Sequence, residues 1–168
     1  MASTSSLPMY VRGPTRTDAG FLLDSWLRSY QHSWSVKRIE PSLYYRHQQE
    51  ITEDLLTRST VLVGCDAESP DVIWGWVCAE VIGDALVIHY CYTKEVFRGR
   101  KVASALIKMI LDAEKAQGWS PNALVWTHDT KSADHFIAGL RGNGTIDPSL
   151  PAMFNPYVLK EDYSGNDE

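Results

Sequence analysis

A short turn at residues 98–101 carries three cations in a position where cations are normally unfavourable. It reads Arg98-Gly99-Arg100-Lys101 and opens residues 101–117, whose apolar side chains recur at helical spacing up to a stop at Gly118. A helix N-terminus has free N–H groups and a partial positive charge, so it stabilises anions and disfavours cations. The turn therefore predicts a bound anion such as a phosphate or pyrophosphate; a solvated basic turn is the alternative.

The stretch before this turn predicts a buried strand. Residues 85–93 are apolar, β-branched and aromatic. A strand, a glycine-containing turn and a helix in this order favour the anion site over the solvated turn.

Other chemistries lack their motifs in this sequence. There is no G-x-S-x-G nucleophile elbow and no G-x-x-x-x-G-K-[ST] phosphate loop. His128, Asp129 and His135 have no neighbours at zinc-ligand spacing, and His135 reads as a surface residue. No metal site is predicted.

The residues from Arg98 to Ala103 resemble the acyl-CoA signature R-G-x-G-[IV]-[AG] of the GNAT superfamily of N-acyltransferases. Lys101 stands where the family has its second glycine. The order of elements around the motif is also similar to the family's, over about residues 9–156. The resemblance implies an α+β fold with a GNAT-like mixed, mostly antiparallel central sheet flanked by helices.

The resemblance also implies acetyl-CoA as the acyl donor. In this family, pantetheine lies between the fourth and fifth strands, where the backbone of the fourth strand binds its amides. Pyrophosphate lies on the amides of the turn, and a polar residue in the helix after the fifth strand completes the site. In this sequence the implied acyl-CoA-binding residues are Tyr90, Cys91, Tyr92, Arg98, Gly99, Arg100, Lys101, Val102, Ala103 and Thr130.

Two residues are candidates for the general base that takes a proton from the acceptor amine. GNAT enzymes often use a Glu on the fourth strand, but the matching position here is near Ala85. His89, four residues along, falls on the same strand face, and the imidazole side chain of histidine is suited to proton transfer near neutral pH. A buried, hydrogen-bonded histidine is an equal alternative. Glu80 on the preceding strand is the second candidate.

The general acid of the family is missing. Alignment on Ala133 puts Ile137 where the family commonly has a tyrosine that protonates the leaving thiolate. The alternatives are Tyr90, Tyr92, Tyr157 or water.

The elements that must position these residues are predicted in the order β-α-α-β-β-β-α-β-α-β. One domain covers residues 9–159, between flexible tails at 1–8 and 160–168. The strands are expected at 10–13, 60–65, 72–82, 85–93, 123–127 and 157–159, and the helices at about 17–30, 41–58, 101–117 and 130–140.

The composition limits the kinds of partner that this protein is expected to bind. Of 168 residues, 44% are hydrophobic and 22% are charged, which is ordinary for one globular domain. The net charge of −5 makes nucleic acid an unlikely ligand. No run is long enough to span a membrane, and a cytoplasmic location is expected. Cys65, Cys78 and Cys91 are expected as buried free thiols.

We therefore predict an N-acetyltransferase that acts on a small-molecule or protein amine. A GNAT-fold protein that binds CoA or a partner without catalysis is the alternative. A third possibility, a phage-type modifier of nucleic-acid bases on the same fold, is disfavoured by the acidic total charge.

Overall fold

The computed structural model describes residues 8–161. Most of the two predicted tails, at residues 1–7 and 162–168, lies outside this range. The elements of the described chain are β1 (Met9–Arg12), α1 (Ala19–Gln31), α2 (Pro41–Arg58), β2 (Thr60–Asp66), β3 (Ile73–Ile82), β4 (Ala85–Thr93), α3 (Val102–Ala116), β5 (Ala123–Trp126), α4 (Ala133–Gly142), β6 (Ala152–Phe154) and α5 (Val158–Glu161). The predicted α+β class and order of elements are confirmed, with the short α5 added.

One mixed sheet with the strand order β1-β2-β3-β4-β5-β6 organises the molecule. The first four strands pair antiparallel, and β5 then joins β4 in parallel, as expected for a strand reached by a helical crossover. Pairing of β4 with β5 runs from Ala85 opposite Ala123 to Ile88 opposite Trp126. One further bond joins the Thr127 amide to the Ile88 carbonyl oxygen at 3.2 Å. Beyond it the two strands separate.

A β-bulge at His89 changes which face the end of β4 presents. Cys78 of β3 pairs with Tyr90, and the next residue, Ala79, pairs with Ile88, so His89 is the extra residue. A bulge inserts one extra residue into a strand, so the side chains beyond it point to the opposite faces from those that strict alternation would give. Ile88 accordingly packs in the core beneath α3, whereas Tyr90 packs in the core beneath α1 and α2.

Two apolar cores cover the two faces of the sheet. One packs the buried face of α3, including Leu106 and Ile110, against the sheet and α4. The other packs Trp26 of α1 and Leu55 of α2 against the opposite face. The helices thereby bring the end of α1 and the start of α3 to the point where β4 and β5 separate.

The last strand is not where the sequence predicts it. Residues 157–159 were expected as a strand, but Val158 begins α5, and the edge strand is β6, parallel to β5. The many turn-forming residues at 141–151 predict a loop with a short edge strand before or after it, and residues 152–154 lie directly after this segment. The helix after β5 begins later than predicted, with Ser132 as its N-cap.

The three cysteines are not all buried, and the described helices include no membrane span. Cys65 and Cys78 are buried free thiols as predicted, but Cys91 is partly exposed. Among residues 8–161, no helix is long and apolar enough to cross a bilayer.

Candidate active site

A cavity of about 730 Å³ opens where β4 and β5 separate. Its walls come from the end of β4, the turn before α3, the start of α4 and the end of α1. The predicted site residues on these walls are His89, Tyr90, Cys91, Tyr92, Arg98, Gly99, Lys101, Val102, Ala103 and Thr130. The fold therefore brings together residues that are up to about forty positions apart in sequence.

The end of β4 presents a free backbone edge to this cavity. Tyr90 to Thr93 remain paired with β3 but, within the described chain, have no strand partner on the side of β5. Unpaired N–H and C=O groups at a sheet edge bind an extended chain that carries amides. This edge can therefore hold the two amides of a pantetheine.

The turn before α3 is the predicted anion site. Gly99 has φ 78° and Lys101, the N-cap of α3, has φ 58°. The Ala105 amide bonds back to the Lys101 carbonyl oxygen, so the amides of residues 102–104 have no intrahelical acceptor. The Arg98 amide is bonded to the Glu95 carbonyl oxygen at 3.1 Å. Lys101 is the only described residue other than glycine with positive φ, a conformation that glycine adopts readily.

The three cations of the turn do not have equal access to the cavity. Arg98 and Lys101 line it, and the Arg98 Nε donates to the Thr93 carbonyl oxygen at 3.2 Å. The Arg100 guanidinium instead lies 5.7 Å from the centre of the Phe97 ring and is not among the lining residues. Lys131, which sequence reasoning missed, adds a further cation to the wall opposite the turn.

His89 and Glu80, two alternative bases by sequence, are hydrogen-bonded to each other. The His89 Nε2 lies 2.7 Å from Glu80 Oε1, and the same oxygen accepts from Arg58 of α2 at 2.8 Å. The other ring nitrogen, Nδ1, lies 2.9 Å from Thr127 Oγ1. The His89 side chain has no exposed surface. It therefore has no free nitrogen directed at the cavity, and its connection to the cavity passes through Thr127.

That connection leads to His128, a residue that the sequence did not single out as a base. His128 Nδ1 lies 2.9 Å from the same Thr127 Oγ1, and its Nε2 lies 3.0 Å from Gln48 Nε2 of α2. Its ring packs edge-on against Trp26 and Tyr30 of α1. Burial lowers the pKa of His128 to about 3, so the imidazole is neutral at physiological pH. Unlike Glu80, His128 lies on the cavity wall.

A signal for His128 exists in the sequence, although it is weak. On α2, the positions Tyr44, Gln48 and Thr52 repeat every four residues and are all buried, so this helix turns a polar stripe inward. The apolar Leu43 and Ile51 of the same helix are exposed. A polar stripe in a buried helix face requires a polar partner, and His128 is that partner.

The family model for the acetyltransferase (GNAT) family matches residues 22–138, more than half of the chain. The chain belongs to this family. Its three most characteristic parts, the strand β4, the cationic turn and the helix α3, all lie within the match. Members of the family use an acyl-CoA as donor. No curated protein matches the chain.

Solved GNAT structures share the fold at low sequence identity. The PaiA N-acetyltransferase of Thermoplasma acidophilum, in complex with coenzyme A, is 12% identical, with 78% of this chain and 87% of that chain covered at a TM-score of 0.59. The ribosomal-protein-alanine N-acetyltransferase of Brucella melitensis is 16% identical, with 80% and 90% covered at 0.54. A GCN5-related N-acetyltransferase of Rhodopseudomonas palustris is 16% identical, with 80% and 81% covered at 0.54.

The residues of this GNAT protein fit an acyl-CoA. The free edge of β4 suits pantetheine, and the amides and cations at the start of α3 suit pyrophosphate. Gly99 has open space where a side chain would stand, so its backbone can approach a phosphate. The fit rests on the backbone and therefore does not depend on the family's second glycine.

The family's acid position is apolar here. Ile137 is buried in the core beneath α3, although part of it reaches the cavity wall. Of the three alternative tyrosines, Tyr90 and Tyr92 line the cavity and Tyr157 does not. The Tyr90 hydroxyl is hydrogen-bonded to Ser29, and burial raises its pKa to about 12. A phenol with so high a pKa keeps its proton at neutral pH.

Proposed function

We propose that this protein is an N-acetyltransferase that moves an acetyl group from acetyl-CoA to an amine. The observation that carries the proposal is a single cavity that joins the free edge of β4 to the cationic start of α3. A ligand that spans both parts needs an extended amide chain and a pyrophosphate, and CoA has both. Acetyl-CoA supplies the activated acyl group.

We propose that His89, together with Glu80, supports removal of the amine proton. The carboxylate of Glu80 accepts from His89 Nε2 and so determines which ring nitrogen keeps its proton. His89 Nδ1 is then the basic nitrogen, and it faces Thr127. This pair therefore acts through the groups beside it and not by direct contact with the amine.

The cavity wall favours an acceptor that is not a polycation. Among the described residues that line it, none is Asp or Glu, whereas Lys101, Lys131 and His135 are present. Asp129, beside His128, has its two oxygens engaged by the indole N–H groups of Trp34 and Trp126, at 2.9 and 3.3 Å. Polyamines and aminoglycosides bind through several carboxylates. Amines with a neutral or anionic substituent are the better candidates.

A GNAT protein that binds CoA without transfer is the second candidate. Its support is the buried Ile137 in the acid position and the side chain at Lys101. The two candidates make the same prediction for CoA binding and differ only in turnover.

Calorimetric titration with CoA and acetyl-CoA tests the shared part. Saturating ligand should also raise the melting temperature by mass action. Absence of binding would reject both candidates. An activity assay then distinguishes the two candidates. Released CoA is detected by chromatography after incubation with separate pools of amino acids, aromatic amines, peptides, polyamines and aminoglycosides. Transfer to any pool supports the acetyltransferase, and CoA binding without transfer supports the binding protein.

The proposed location is the cytoplasm. All three cysteines are free thiols, as is usual in a reducing compartment.

A further inference from the structure

We propose that a buried chain of side chains running from His128 through Thr127 to His89 stores the acceptor's proton and returns it to the leaving sulfur. The proposal rests on the acetyltransferase function proposed above. It gives His128 a role at the cavity. It also removes the need for a separate general acid at position 137, where an isoleucine side chain has no proton to donate.

The chain is continuous and crosses from the cavity to the far side of β4. Gln48 Nε2 is 3.0 Å from His128 Nε2, and Thr127 Oγ1 is 2.9 Å from Nδ1 of each histidine. His89 Nε2 is 2.7 Å from Glu80 Oε1. Every link has the length of an ordinary or strong hydrogen bond.

The two ends of the chain determine the direction of every bond. At the far end the Glu80 carboxylate can only accept, so His89 carries its proton on Nε2. At the other end the Gln48 amide N–H can only donate, so His128 Nε2 is unprotonated and Nδ1 carries the proton. His128 then donates to Thr127, whose hydroxyl donates to His89 Nδ1. All groups are satisfied with both imidazoles neutral.

This arrangement makes Nε2 the basic nitrogen of His128, a residue of the cavity wall. When the amine nitrogen bonds to the acyl carbon, its proton passes to His128 Nε2. The Gln48 amide retains a partner in Thr52, whose Oγ1 is 3.3 Å away. His128 passes its Nδ1 proton to Thr127, and Thr127 passes its hydroxyl proton to His89 Nδ1.

The transfer ends at Glu80, which receives the Nε2 proton of His89. Both rings have then exchanged tautomers, and one carboxylate has become a carboxylic acid. When the carbon–sulfur bond breaks, the same steps run in reverse and the sulfur takes the proton from His128 Nε2. One proton leaves nitrogen and one arrives at sulfur, so the cycle is balanced and the chain is reset.

The surroundings favour such a concerted exchange over a charged imidazole. The aromatic rings of Trp26, Tyr30 and Tyr90 pack against the His128 ring. Burial holds the pKa of His128 at about 3, which disfavours an imidazolium. The charge in the chain is at Glu80, where Arg58 is paired with the carboxylate at 2.8 Å and the side chain is 16% exposed.

The tautomers can be measured without any acceptor. Protein labelled with ¹⁵N at its five histidines would be examined by long-range ¹H–¹⁵N correlation NMR between pH 5 and 8. We expect one neutral ring protonated at Nδ1 and one protonated at Nε2, assigned with His128→Gln and His89→Gln. His128 protonated at Nε2, or cationic at pH 7, would overturn the proposal.

The kinetic test breaks the chain at its centre. Thr127→Val keeps the shape of the side chain and removes the hydroxyl, whereas Thr127→Ser keeps the hydroxyl. With an accepted amine, Thr127→Val should lower kcat by about 10²-fold, the low end for a positioned acid or base, with CoA affinity unchanged. Thr127→Ser should recover most of the loss. Melting temperatures of both variants control for a purely structural effect.

The solvent deuterium dependence of kcat identifies the moving protons. In the wild type, several protons shift together, so kcat should fall along a curve as the deuterium fraction rises. Thr127→Val should give a straight line. Wild-type kcat and a curved dependence in Thr127→Val would overturn the relay. If CoA binds and the tautomers are as expected but no amine is acetylated, the proposed function is at fault, and the relay fails with it.

Discussion

The imidazoles of His89 and His128 share one hydroxyl group, with Nδ1 of each ring 2.9 Å from Thr127 Oγ1. His89 lies on β4 and His128 follows β5, so this hydroxyl joins the two strands just where they separate. Both residues belong to the cavity wall, but the His89 side chain has no exposed surface. Predictions about either histidine therefore concern the pair.

Substitution of His89 or Glu80 should lower turnover and leave acetyl-CoA binding unchanged. His89→Gln is expected to lower kcat by roughly 10²- to 10⁴-fold, the range for a positioned base, while acetyl-CoA affinity stays near wild type. Glu80→Gln should lower kcat as well, and the double variant should lose less than the product of the two, since the groups act together. His47→Gln, exposed on α2, is the control. Full activity in His89→Gln with loss in Glu80→Gln would assign the base to Glu80 alone.

Acid should destabilise the protein through His128. Its pKa is about 3 when folded and ordinary, near 6.5, when unfolded, so between these values only the unfolded chain binds the proton. Stability is therefore complete above about pH 6.5 and falls by up to roughly 1.4 kcal/mol per pH unit as the pH drops further. Urea unfolding of the wild type and His128→Gln from pH 7 to 4.5 measures this, with a shallower slope expected in the variant. Parallel slopes would contradict the burial of a neutral His128.

Lys101 should be a strained residue that glycine relieves. A side chain at φ 58° costs roughly 1 kcal/mol, which Lys101→Gly removes, so thermal unfolding should shift upward. Lys101→Ala keeps the strain and removes the charge, which separates the two effects. CoA affinity in Lys101→Gly should stay within about tenfold of wild type. A much larger loss in both variants would make the ammonium group the main phosphate ligand.

The two arginines of the turn should differ in CoA binding. Arg98 lines the cavity, so Arg98→Ala should weaken CoA binding by roughly 1–2 kcal/mol, as expected for a charge-assisted contact. Arg100 is stacked on Phe97 outside the lining, and Arg100→Ala should cost less than about threefold. Calorimetric titration measures both, with Arg46→Ala on the exposed face of α2 as control. Equal losses for Arg98 and Arg100 would show that Arg100 turns toward the ligand.

The sequence by itself determined the fold class and the order of elements, and it marked the turn where an anion site is predicted. These depend on local patterns: helix α2 begins at Pro41, β4 is a continuous apolar and aromatic run, and the glycine-containing turn leads into an amphipathic α3. Such features are encoded by residues near one another in the chain, so periodicity and helix-start signals reveal them.

Only the tertiary structure decided how the candidate bases are connected. The bulge at His89 depends on the pairing register of β3 with β4, and the contact of His128 with Gln48 joins residues eighty positions apart. It likewise decided that residues 152–154, and not 157–159, pair beside β5. Strand pairing and buried hydrogen bonds depend on which distant groups meet when apolar surfaces are covered, and local propensity carries no record of those partners.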